Sequence, residues 1–69
     1  MDGVECLSSS SFARQPIAVT WQGRRLEIER VLSEWYSPGE RFFRVRTCDQ
    51  RIFELAWNEV AEQWLVKSL

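Results

Sequence analysis

Between Arg41 and Trp57 the chain reads RFFRVRTCDQRIFELAW, and this stretch restricts the fold more than any other. Up to Asp49-Gln50, Phe43, Val45 and Thr47 alternate with Phe42, Arg44, Arg46 and Cys48. Beyond it, Phe53, Leu55 and Trp57 alternate with Ile52, Glu54 and Ala56. Side chains two apart share one face of a strand, whereas a helix would scatter them around its axis. Two such runs joined by a short polar turn predict an antiparallel hairpin with one apolar face. The hairpin also displays four arginines, with Arg41 at the strand entrance, Arg44 and Arg46 opposite the apolar face and Arg51 just past the turn.

The rest of the chain fits round this hairpin. Ile17, Val19 and Trp21 alternate with Ala18 and Thr20, Gln22-Gly23 supplies a two-residue turn, and Leu26 and Ile28 share a face on the return. The following segment is ambiguous. Ile28, Val31, Leu32 and Trp35 fall at the spacing of an apolar helical face that Ser37-Pro38-Gly39 would end. Val31, Trp35 and Tyr36 equally suit a bent, extended edge strand, and a helix here would have only two turns, which favours the extended form. Asn58-Glu59 begins a turn or a short helical turn through Ala61 and Glu62, and residues 63–69 give a last strand with Trp64 and Val66 inward. Residues 1–13, with four consecutive serines, read as a flexible tail in which Val4 and Leu7 could dock on a single domain at 14–69.

Sixty-nine residues allow one core. A chain this short hides only roughly 60–65% of its unfolded surface, so a partner subunit would add stability. Nine aromatics, four of them tryptophan, offset the small size. About five short antiparallel strands with one apolar face bury it most economically by closing on themselves, which predicts an all-β, small SH3-like barrel. The alternative is a curled antiparallel sheet with a short helix at 30–36.

Composition narrows the chemistry. There is no histidine, so the usual base near neutral pH is missing, no two acids form an evident converging pair, and the serines cluster without a base to activate them. These features point away from an enzyme. Cys6 and Cys48, far apart and without histidine, do not supply a zinc site, and Gly3, Gly23 and Gly39 stand singly rather than in a phosphate-binding loop. No metal and no cofactor is expected. Two distant cysteines fit reduced thiols, no apolar run approaches membrane-spanning length, and the N-terminus lacks a basic start and an apolar stretch. The expected location is therefore the cytoplasm, with no membrane partner. Formal charge is -1 overall but -2 over 1–13, +3 over 14–51 and -2 over 52–69. That polarity permits a basic face without requiring one.

The succession Pro16-Ile17 with Trp21 and Gly23-Arg24-Arg25, Val31-Leu32 with Trp35, Phe43-Arg44-Val45-Arg46-Thr47, Phe53-Glu54-Leu55 and Trp64-Leu65-Val66 resembles a family of small bacterial domains catalogued as domain of unknown function 6504. The similarity covers roughly residues 15–66 and is most specific in the arginine-rich strand. It departs from the family at the second hairpin turn, where a glycine is usual and Asp49-Gln50 stands instead. Members occur alone or attached to the C-terminus of proteins resembling translesion DNA polymerases. The resemblance implies no catalytic residues and a role accessory to DNA repair.

Two surfaces are candidates for binding. If the hairpins abut, Arg24, Arg25, Arg41, Arg44, Arg46 and Arg51 could grip the phosphates of DNA or another polyanion with forked hydrogen bonds. Glu27, Glu29 and Glu54 could instead pair across strands with the same arginines and consume the patch. Phe42 and Ile52 interrupt the polar face, which suits a platform for stacking bases, a protein or homodimer interface, or a second small core under Trp35 and Tyr36. Trp21, Trp57 and Trp64 are expected in the core, while Trp35 and Tyr36 beside the Ser37-Pro38-Gly39 loop suit a shallow groove for an extended peptide. The expected function is a non-catalytic binding module, acting through the arginine face or through Trp35, Tyr36, Phe42 and Ile52.

Overall fold

The computed structural model describes residues 3–8 and 14–69. They form six strands: β1 (Gly3–Ser8), β2 (Arg14–Trp21), β3 (Arg24–Ser37), β4 (Glu40–Thr47), β5 (Ile52–Asn58) and β6 (Gln63–Ser68). Each strand pairs antiparallel with the next, in the spatial order β1 to β6. β3 joins two ladders: Arg24 to Glu27 pair with β2, and Ile28 to Ser37 pair with β4. β1 comes round beside β6, so the sheet curls into a nearly closed barrel.

The turns are set by local chemistry. Gln22 and Gly23 both have positive φ, 51° and 79°, the backbone of a two-residue turn whose twist matches its flanking strands. Pro38 fixes its own φ, and Gly39 at φ 83° supplies the left-handed residue that completes the β3–β4 turn. Between β4 and β5 the Gln50 amide donates to the Thr47 carbonyl and the Thr47 amide to the Arg51 carbonyl. That leaves Gln50 at φ 67°, the position where a glycine would be free of Cβ strain. Asn58 caps the β5–β6 turn, its Oδ1 accepting from the Val60 and Ala61 amides at 3.0 and 2.9 Å.

The core is the inner face of the closed sheet. Val19, Leu26, Phe43, Val45, Phe53 and Leu55 are buried together, with Val4, Trp21, Ile28, Val31, Trp64 and Val66 packed against them. Trp21 meets Phe53 edge-on at 5.5 Å, and Trp64 lies 5.2 Å from Trp57 and 5.8 Å from Phe43. The alternating residues of 41–57 thus face as their period indicates, and the three tryptophans assigned to the core reach it.

Residues 30–36 are strand, as the favoured extended reading has it, and not the helix of the alternative fold; the β-bulges in β3 account for the helical spacing. Two expectations change. The barrel has six strands rather than about five. The additional one, β1, falls inside the segment read as a tail: its polar serine-rich composition hides a short strand that pairs with β2 and places Val4 on the core. Residues 9–13 of that segment lie outside the described residues.

Candidate binding surface

Because β3 from Ser33 onward pairs with β4, β4 with β5 and β5 with β6 without a slip, their outward side chains line up in rows across the sheet. One row is apolar: Trp35 lies opposite Phe42, Phe42 opposite Ala56, and Ala56 opposite Leu65. The rings of Trp35 and Phe42 stack with centroids 5.6 Å apart and planes 10° from parallel. Trp35 is 37% and Leu65 69% exposed, and Phe42 and Ala56 are half-buried. A continuous apolar stripe therefore crosses four strands on the outside of the barrel, where antiparallel sheets ordinarily present polar side chains to water.

Polar rows flank the stripe. On one side stand Ser37, Glu40, Asn58 and Gln63, and on the other Ser33, Arg44, Glu54 and Lys67. The Arg44 guanidinium lies 5.8 Å from the centre of the Trp35 ring and donates to Glu54 Oε2 at 3.4 Å. Its charge is thereby shared between an aromatic face and a carboxylate. A further row holds Arg30, Arg46 and Ile52.

The arginines singled out by the sequence do not gather into one patch. Arg25 pairs with Glu5 and, at 3.4 Å, with Glu27. The hydrogen bond and charge of Glu5 hold its guanidinium above the ordinary arginine range. Arg41 pairs with Glu34 at 3.0 Å, Arg46 with Glu29 at 2.8 Å and Arg51 with Asp49 at 2.9 Å. Arg24 has no ion pair among the described residues and borders a small cleft with Trp21, Gln22, Leu26, Asp49 and Arg51. That cleft sits at the end of the barrel formed by the β2–β3 and β4–β5 turns. Arg41 lies opposite Tyr36 and Trp57 at the other end, about six strand residues or roughly 20 Å away.

The four residues proposed as an apolar surface also divide. Trp35 and Phe42 stand side by side in the stripe. Ile52 is on the same face but separated from it by the Arg44 and Glu54 row. Tyr36, 77% exposed, shares an open depression at the mouth of the barrel with Ser37, Gly39, Glu40, Arg41 and Glu59. Ala56 and Leu65 complete the stripe and were not singled out by sequence. The inward period of Trp64 and Val66 does turn Leu65 outward, but only the β5–β6 register puts it level with Phe42.

Cys6 is half-buried and Cys48 exposed. Among the described residues, no group of three or more His, Cys, Asp or Glu is arranged to hold a metal ion, and no helix is long and apolar enough to cross a membrane. No protein family, curated protein or solved structure matches the chain.

Proposed function

We propose that this small barrel is a non-catalytic binding module that recognises protein through the Trp35, Phe42, Ala56 and Leu65 stripe. The observation that carries this is the stripe itself, an uninterrupted apolar row over four strands held by in-register pairing. Interface cores favour aromatics backed by arginine, and Arg44 beside Trp35 supplies that combination. The bent β3, shared by two ladders, supports kinship with SH3-like barrels enlarged by one strand. Membership of the bacterial family that the sequence resembles belongs to the same proposal.

Display of random peptides against sparsely immobilised protein tests this directly. Peptides enriched on the wild type should lose at least about tenfold in affinity on Phe42→Glu, because a charge then stands in an apolar contact. They should also bind almost equally at low and high salt, since apolar burial leads. Absence of any peptide that separates the two proteins overturns the assignment.

A second function, accessory to DNA repair through polyanion contacts, is motivated by the family resemblance and by Arg24 and Arg30, which carry no ion pair among the described residues. It requires the other arginines to exchange their carboxylate partners for phosphate. Tryptophan-fluorescence titration with single-stranded DNA at about 50 and about 200 mM salt separates it from the first: phosphate-led binding collapses at the higher salt.

A further inference from the structure

We infer that the stripe's partner is a second copy of this chain, packed face to face about a two-fold axis parallel to the strands and midway between β4 and β5. This rests on the stripe being a contact surface, and it follows from what the register places on that face.

Such an axis lays β4 of one copy over β5 of the other, and β3 over β6, while each row meets the same row. Phe42 then stands over Ala56 of the second copy, a ring over the smallest side chain in the stripe, and Trp35 stands over Leu65. The second half of the contact repeats both, as a self-complementary interface must. In the neighbouring row Arg44 meets Glu54 of the second copy and Glu54 meets its Arg44. The pair already joined within each copy at 3.4 Å becomes a four-membered ring of alternating charge. In the third row Glu40 faces the Asn58 amide, and Ser37 faces Gln63. Every large group meets a smaller one, and every acid meets a donor.

A two-fold along the stripe itself is worse on both counts. It would set Phe42 on Phe42 and Ala56 on Ala56, pairing large with large and leaving a gap beside them. Four strands about 4.8 Å apart and five residues of about 3.3 Å give a face of at most roughly 300 Å² in plan, less where the curling sheet falls away from the axis. That is below a standard interface, so monomer and dimer should exchange with concentration.

Sedimentation equilibrium tests this on the whole chain. The wild-type mass should climb from that of the 8.2 kDa monomer toward twice that value as concentration rises from about 5 to about 500 μM, the range suited to so small an interface. Arg44→Glu leaves only acids at positions 44 and 54, and Glu54→Arg leaves only arginines. Each variant alone should dimerise at least about tenfold more weakly through like-charge contact, and an equimolar mixture should recover near wild-type association as a heterodimer. Leu65→Glu should give the same loss without touching the Arg44–Glu54 pair, and Ala56→Phe should block the seat of Phe42. A wild type that stays monomeric overturns the dimer. So does a mixture that fails to associate, or an Ala56→Phe protein that associates as well as the wild type. Peptide display still reports on the stripe when the dimer fails, so the two failures are read separately.

Discussion

Asp49 shows how much a single side chain contributes to an exposed turn. Thr47 is fully buried, and its hydroxyl donates to Asp49 Oδ1 across the turn. That hydrogen bond, followed by the charge of Arg51 and local backbone amides, holds the Asp49 carboxyl below the ordinary aspartate range, while partial desolvation opposes the shift. A carboxyl whose folded pKa is depressed is ionised in the folded chain at a pH where the unfolded chain already binds the proton. Its stabilising share is therefore complete above the unfolded value, about 4, and is lost as pH falls through the lower folded value. Asp49→Asn keeps an oxygen for Thr47 but has no proton to exchange. Denaturant unfolding from pH 7 to pH 2 should show wild type the more stable at neutral pH and the gap between the proteins shrinking in acid. A gap that stays constant would mean that Asp49 acts through shape alone. The sequence marks this site only as a departure from the glycine usual at the turn. The backbone explains it: the left-handed position falls on Gln50, and the Thr47–Asp49 bond and the Asp49–Arg51 pair supply turn stability of their own.

At the scale of elements, β3 decides both the closure of the barrel and the ambiguity of its sequence. Its pairing with β4 slips between Ile28 and Arg30 and again between Val31 and Ser33, so Glu29 and Leu32 are extra residues facing no partner of their own. Each bulge adds a residue without changing the face, so inward positions run Leu26, Ile28, Val31 and Glu34 rather than every second residue. Ile28 and Val31 acquire a helical separation of three, Leu32 joins the pattern from the bulge, and Trp35 joins it from the outer face. The four residues that suggest a helix thus come from three different environments, and no single-strand period could have sorted them. The β4–β5 hairpin has no slip, which is why its alternation was legible from the sequence. Bulges increase local twist, and the strand bends where it passes from β2 to β4. Deleting Leu32 leaves Val31 opposite Val45 and Ser33 opposite Arg44 but removes that bend. The deletion should cost about 1–3 kcal/mol in denaturant unfolding, whereas Leu32→Ala, at a side chain 42% exposed, should cost well under half as much. Equal losses would show that the bulge does not shape the barrel.

For the molecule as a whole, the margin is small, since a chain of this length is expected to have roughly 3–10 kcal/mol of stability in total. Each part of the closure therefore matters, including β1, whose strand character the sequence obscures. Glu5 and Cys6 are polar neighbours in a serine-rich segment, and the pairing with β2 slips between them, so periodicity gives no warning of a strand. What holds β1 is tertiary. Val4 packs on the core, Glu5 pairs with Arg25 from the first hairpin, and the strand covers the edge of β2 while approaching β6. The outer stripe was partly legible for the same reason that β1 was not: Phe42 lies in a strand with clean alternation, while its continuation through Ala56 to Leu65 depends on pairing between strands. Removing residues 1–13 uncovers Val4's side of the core and leaves the β2 edge unpaired. The truncated chain should lose about 1–3 kcal/mol, consistent with one partly buried valine and a strand edge returned to solvent. It should also show faster amide exchange along β2 than along β4 and β5, which keep both neighbours. Unchanged stability together with unchanged exchange in β2 would mean that five strands suffice and that β1 lies on the barrel without helping to close it.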